Sequence, residues 1–255
     1  MPDQREYEVS HGRTKLVIEA GRVADPNREA EWLHCGLPYG SRARLIIPFI
    51  NSYAIVRKTR EIDLGDSLRC FLEKIGAGIN DYNRKAVTQQ IQSLAACQFI
   101  LGEWNEDGAT TKYGRFAEEV SFWIDRDVRQ GLLWHQHMLL SDKYYKALHS
   151  RHAPVDMNHL VQLTRSERRM DLYSWFSYRL PSIRQGRVVR VPLRDLRPIF
   201  APDIQSLKHF KLKMRQDLKA IAAVYRDFDI EIEGDLLLLR KSPPPIPRKI
   251  AHLIP

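Results

Sequence analysis

The sequence predicts an α+β fold made of two tandem winged-helix domains. Three observations lead there. The order helix, strand, helix, helix, β-hairpin can be read twice along the 255 residues. The helix before each hairpin sets cationic or amide side chains beside an apolar stripe. The chain carries 40 Lys+Arg against 31 Asp+Glu, a formal charge of +9, which favours a polyanionic partner through counterion release and long-range steering. Length fits one large or two small domains. Residues 34–152 and 153–242 are read as the two domains. An N-terminal segment, 1–33, precedes them and a proline-rich basic tail, 243–255, follows.

Within 1–33 only Val9 to Ile18 resembles a short strand. In the first domain Leu45, Ile46, Ile47, Phe49, Ile50, Ala54 and Ile55 predict a buried helix, broken or bent near Pro48. Ile62 and Leu64 lie in a short alternating piece. Asp66 is the expected N-cap of a helix from Ser67 to Ile75, ended by Gly76. After a loop from Gly78 to Asn83, Val87, Ile91, Leu94 and Ala95 mark the inner face of a helix from Arg84 to Gln98. Strands Phe99 to Trp104 and Val120 to Ile124 flank a polar excursion, Asn105 to Glu119, and form the wing. A third strand, Leu132 to Leu140, stops at Ser141, which caps a helix through Leu148.

The second domain begins with a short helix from Asp156 to Thr164. Ser166 then caps a long one to Ile183, with Met170, Tyr173, Trp175, Phe176 and Leu180 available for packing. A strand around Val188, Val189 and Val191 follows, then a short helix from Leu193 to Phe200 and a long helix from Gln205 to Tyr225. Ile230, Ile232 and Leu236 to Leu239 form a hairpin around Glu233-Gly234-Asp235. Ser242-Pro243-Pro244-Pro245 leaves in extended form.

The helix from Gln205 to Tyr225 carries the clearest functional signal. Leu207, Phe210, Met214, Leu218, Ile221 and Tyr225 make one buried face, and Lys208, Lys211, Arg215 and Lys219 make a stripe beside it, with Lys213 near. Solvated helices usually interleave both signs, but Asp217 is the single acid between Gln205 and Arg226. An anionic partner gives the stripe a reason; a lysine-covered solvent face is the alternative. The first domain's helix turns outward Arg84, Lys85, Thr88, Gln89 and Gln92, which suit base edges as lysine suits phosphate. The polar excursion carries Lys112 and Arg115, and Arg184, Arg187 and Arg190 in the second domain are further candidates for phosphate contact. A DNA major groove about 12 Å wide admits one such helix.

Other classes find little support. Cys35, Cys70 and Cys97 stand at no metal-ligand interval, and their odd count argues for reduced thiols in a cytoplasmic protein. Met1 to Glu8 is charged and is no signal peptide. No run approaches the ~18 apolar residues a membrane span requires. Neither a G-x-x-x-x-G-K-S/T loop nor a G-x-G-x-x-G turn is present, so no cofactor and no ATP hydrolysis are expected. The enzymatic alternative is a rolling-circle nickase: His135-Gln136-His137 with Tyr144 or Tyr145 echoes a metal-and-tyrosine site. The Gln between the histidines and the crowding of the tyrosines favour surface histidines and packing tyrosines instead. A plain winged-helix transcriptional repressor is a second alternative.

Several segments resemble the plasmid-encoded RepA-type replication initiators. They are Gly36-Leu37-Pro38-Tyr39-Gly40-Ser41, Ile62-Asp63-Leu64-Gly65-Asp66-Ser67-Leu68, Pro154-Val155-Asp156, Asp171-Leu172-Tyr173-Ser174-Trp175-Phe176-Ser177-Tyr178-Arg179-Leu180, and Ser242-Pro243-Pro244-Pro245. The resemblance implies binding of repeated double-stranded sites (iterons) at a plasmid origin and help in opening the duplex. It implies recruitment of the host initiator and replicative helicase, and exchange between monomer and homodimer, the dimer often repressing its own gene. It places DNA contact on Arg84 to Gln92, on Lys112 and Arg115, and on Lys208 to Lys219.

Overall fold

Two runs of apolar side chains set two cores, and the chain divides accordingly into Met1–Arg151 and His152–Pro255. The structure, a computed structural model, describes residues 4–25, 28–124, 133–150 and 152–246.

The first unit starts with strands in the segment where the sequence supports no firm element. β1 (Glu6–His11) and β2 (Thr14–Glu19) form a hairpin. Its two-residue turn holds Gly12 at φ 58°, where a side chain would be strained. β3 (Arg22–Ala24) and β4 (Trp32–His34) make a small two-stranded ribbon. α1 (Gly40–Arg57) runs unbroken past Pro48. The hydrogen bond that proline removes is offset by burial of Leu45, Ile46, Ile50 and Ala54, each large side chain contributing ~1.5–3 kcal/mol.

β5 (Glu61–Asp63) leads to α2 (Leu68–Lys74) and α3 (Asp81–Ala96). Ser67 caps α2 in place of the expected Asp66, its hydroxyl accepting from the Cys70 amide at 3.2 Å. Asn80 caps α3 by accepting from the Asn83 amide at 2.8 Å, so α3 begins at Asp81 rather than Arg84. β6 (Gln98–Asn105) and β7 (Gly108–Arg115) follow, then β8 (Ala117–Ile124), β9 (Leu133–Leu140) and α4 (Asp142–Ser150). Ser141 caps α4 as expected, accepting from the Tyr144 amide at 3.2 Å.

Most of the supposed polar excursion is therefore strand. Thr110, Thr111 and Tyr113 favour β structure, but β7 is exposed on both faces and shows no alternation. β1, β2, β6 and β7 make a four-stranded antiparallel sheet in that order, while β5, β9 and β8 make a separate three-stranded one.

The second unit holds α5 (Met157–Gln162), capped by Asp156, and α6 (Glu167–Arg179), which continues as a 3-10 turn, Leu180–Ser182. β10 (Val189–Pro192), α7 (Leu193–Phe200), α8 (Leu207–Val224), β11 (Ile230–Glu233) and β12 (Leu236–Leu239) complete it. Tyr173, Phe176, Phe210, Met214 and Ile221 are buried in its core. The sheet order is β10, β12, β11.

The two three-stranded sheets share one plan. In the first unit β5 pairs with the last strand, β9, and β9 with β8; in the second β10 pairs with the last strand, β12, and β12 with β11. The first unit's equivalent of hairpin β11–β12 is thus β8–β9. The expected wing, Phe99 to Trp104 with Val120 to Ile124, joins strands of two different sheets. β6 and β7 are an insertion between α3 and the true hairpin.

Candidate nucleic-acid interface

α8 presents its cations from a frame fixed by its inner face. Ser206 caps it, accepting from the His209 amide at 3.4 Å, and Phe210, Met214, Leu218 and Ile221 anchor it. The one acid inside the helix, Asp217, is 1 % exposed and turns inward. It accepts from Arg168 Nε at 2.6 Å and Arg169 Nε at 2.8 Å, both on α6. Removing that carboxylate from the surface leaves the outer face single-signed.

That outer face is not quite the predicted stripe. Lys208, Arg215 and Lys219 are exposed, but Lys213 is half-buried. Lys211 is half-buried too and donates to Asp235 Oδ1 at 2.8 Å, in the β11–β12 turn. Leu212, 53 % exposed, stands four residues from Lys208, between the cations. Sequence reasoning passed over it; its position off the buried stripe was the available signal. An apolar side chain there suits a thymine methyl.

The β11–β12 hairpin is acidic, with Glu231, Glu233 and Asp235 all exposed. Its neighbour Arg240 is engaged by Asp229 at 3.1 Å and Glu231 at 3.2 Å. Repulsion from phosphates makes this hairpin a poor backbone clamp. Arg184, Arg187 and Arg190 are exposed on the segment leading into β10 and along it, and they supply the cations that the hairpin lacks.

In the first unit Lys85 and Gln89 are exposed on α3 and Arg84 is half-exposed. Thr88 and Gln92 do not face outward as predicted: each is only 8 % exposed. The helix is covered along its second half, so the 3.6-residue pattern marks a face there that solvent does not reach. Gln90 is buried as well, and its Oε1 accepts from the Tyr39 amide at 2.7 Å, fastening the start of α1 to α3.

The exposed end of α3 also gathers residues that the sequence did not single out. Tyr82 is 71 % exposed, and the Arg42 guanidinium lies 5.1 Å from its ring centroid. Arg42 donates to Asn83 Oδ1 at 2.6 and 3.2 Å, while Asn83 Nδ2 donates to the Gly78 carbonyl at 2.7 Å. One buried amide thus pins both the turn before α3 and a cation beside it. Arg42 sits near the start of α1, distant in sequence, and no local pattern pointed to it.

Lys112 and Arg115 lie on β7, outside the hairpin that matches β11–β12. Lys112 is paired with Glu103 at 2.5 Å. The side chains of His135 and Gln136 lie outside the described residues. Tyr144 is half-buried; its hydroxyl donates to Asn51 Oδ1 at 3.0 Å, and desolvation pushes its pKa up to about 12. Tyr145 packs on His149, ring centroids 4.4 Å apart.

The model of the family described as plasmid encoded RepA protein matches residues 37–192. The chain belongs to that RepA family. The RepA match runs from just before α1 to the end of β10, so it includes α3 and stops short of α8. No curated protein matches the sequence significantly. Among solved structures, a selenomethionine crystal structure of domains 2 and 3 of RctB is similar, with a TM-score of 0.59 at 14% identity, covering 93% of this RepA chain and 91% of that one. A second crystal structure of RctB domains 2–3 gives 0.55 at 14% identity, covering 100% and 95%. At that identity the likeness is one of fold: an α+β arrangement shared along nearly the whole chain. Membership of the RepA family supports a role in replication initiation.

Proposed function

We propose that this chain is a plasmid replication initiator that binds double-stranded origin repeats through two winged-helix units. The observation that carries the reading is the helix pair before each hairpin. α2 and α3, joined by residues 75–80, and α7 and α8, joined by residues 201–206, each hold one helix with an exposed polar face on a buried apolar one. One helix of each unit is offered to a major groove. α8 supplies phosphate contacts through Lys208, Arg215 and Lys219, aided by Arg184, Arg187 and Arg190. α3 reads bases through Lys85 and Gln89, with Arg84 and Arg42 close to the backbone.

Opening of the origin, recruitment of a host initiator and helicase, and monomer–homodimer exchange belong to the same reading, on the strength of the family. The protein acts by binding and not as an enzyme. Tyr144, half-buried with its hydroxyl held on Asn51, lends a nickase little support.

Selection of bound duplexes from a random pool tests the reading. We expect enriched sequences to share a core that recurs as tandem direct repeats at the origin, with phased protection in footprints. A lone palindrome would favour a repressor instead. Enrichment without any shared sequence would remove the case for readout by α3.

A further inference from the structure

A groove of about 680 Å³ in the first unit lies apart from the exposed face of α3. One wall is residues 20–24, which run through β3; the other is residues 117–120 of β8; Ala95 and Ala96, at the end of α3, form the floor. Both walls belong to edge strands. β8 is the outermost strand of its sheet, and β3 has β4 as its only strand partner among the described residues.

The β3–β4 ladder fixes which backbone groups are spoken for. The Cys35 amide donates to the Gly21 carbonyl at 3.0 Å and the Asp25 amide to the Glu31 carbonyl at 2.9 Å. With Arg22 opposite His34 and Ala24 opposite Trp32, the amides and carbonyls of Arg22 and Ala24 point away from β4. The ribbon is seated tightly on α3: a Cβ added to Gly21 would come within 2.0 Å of the Ala96 carbonyl oxygen. Among the described residues the groove is therefore bordered by two edge strands, with the Arg22 and Ala24 backbone groups turned away from β4 on the ribbon side.

We propose that this groove docks an extended peptide segment of a partner protein, which adds as a strand along these edges. Free strand edges recognise backbone, and a polypeptide in extended form is the ligand that satisfies them. The alanine floor admits small or β-branched side chains and excludes large ones. The charged groups at the walls are of both signs. Arg22 stacks 4.9 Å over the Trp32 ring, itself 56 % exposed, and Arg115 is exposed beside Glu118 and Glu119. Glu118 is held ionised by the Asp142 amide first and by Arg60. Two carboxylates in one wall repel a nucleic-acid strand, whereas a peptide with one basic and one acidic side chain complements both signs. The site does not depend on the DNA-binding reading.

A randomised pool of peptides roughly seven residues long, within the span of ordinary strands, selected against the full chain tests this. Enriched peptides should slow hydrogen exchange at the amides of Arg22 and Ala24 and within 117–120. N-methylation of alternate peptide amides should weaken binding by about tenfold or more, because strand addition rests on those donors. Ala95→Phe, which fills the floor, should do the same, while leaving duplex DNA binding unchanged. A pool without binders, protection confined to other segments, or affinity indifferent to N-methylation overturns the proposal. Should Ala95→Phe not fold, exchange and N-methylation decide by themselves.

Discussion

The two units share a strand order yet treat charge in opposite ways. In the second, the acid within α8 is buried under two arginines and the outer face is left to Lys208, Leu212, Arg215 and Lys219. In the first, α3 keeps Asp81 exposed in its opening turn, buries amides instead, and shows Lys85, Gln89 and Tyr82. A common frame thus leaves the presented surface free to vary: one helix is built for charge, the other for hydrogen bonding. The largest test of that contrast is Asp217→Ala. It strands two arginines against the core and should cost about 3–5 kcal/mol, read as a shift in the urea midpoint of the second unit. Asp81→Ala, at an exposed helix start, should cost only ~0.3–1 kcal/mol. Equal small losses would mean that α8 does not rest on its buried ion pairs.

Alkaline pH should separate the units next. Burial pushes the thiols of Cys35 up to about 11 and Cys97 up to about 12, from 9.0, and Tyr144 up to about 12 from 10.0. All three are in the first unit. The second unit has no cysteine; burial raises Tyr173 and Tyr225 above the usual tyrosine value. In each case the folded chain keeps a proton that the unfolded chain gives up. The stabilisation is whole below the unfolded pKa and is lost as pH climbs through the folded one, at ~1.4 kcal/mol per unit of pKa difference. The first unit should therefore weaken from about pH 9 and the second from about pH 10, followed by hydrogen exchange in unit-specific fragments. Cys97→Ala should remove much of the earlier phase. Simultaneous weakening from pH 9 in both units would contradict the burial argument.

A finer test concerns two glutamines of α3. Gln89→Ala, at an exposed position, should relax base preference by ~1–3 kcal/mol at particular positions of the site with stability unchanged. Gln92→Ala, at a buried one, should lower the melting temperature and leave the preference alone. A base-by-base binding scan together with thermal unfolding checks both. Loss of preference with Gln92→Ala in a fully folded protein would show that the covered half of α3 opens on DNA.

Much of the frame was legible because it rests on local rules. The apolar spacing from Leu207 to Tyr225, the Gly234 turn, the cap Ser141 and the helix start at Asp156 all act within a few residues. What was missed depends on distant chain. β1 and β7 gain stability from backbone pairing on surfaces open to solvent, so their sequences need no alternation. Thr88 and Gln92 look like outer-face residues on a helical wheel, but other elements cover them. Lys211 reads as a free cation until the hairpin brings Asp235 to it. The RepA resemblance pointed to the α3 region without showing which of its side chains are exposed.

That last pair yields the smallest expected effect and the sharpest one for the interface. If Lys208, Arg215 and Lys219 meet phosphates, Arg215→Ala should reduce the slope of log affinity against log salt by ~0.9, with affinity lost evenly across sequences. Lys211 is held at 2.8 Å by an aspartate and is only 21 % exposed. An ion pair near the surface is worth ~0–1 kcal/mol, so phosphate competes for this lysine only by breaking a bond of comparable strength. Lys211→Ala should then change the slope by clearly less than Arg215→Ala, and Asp235→Ala should raise affinity by freeing the lysine. Equal slopes for the two variants would mean that Lys211 leaves Asp235 on binding. The acidic hairpin would then act as a holder that keeps the cation in place until DNA takes it.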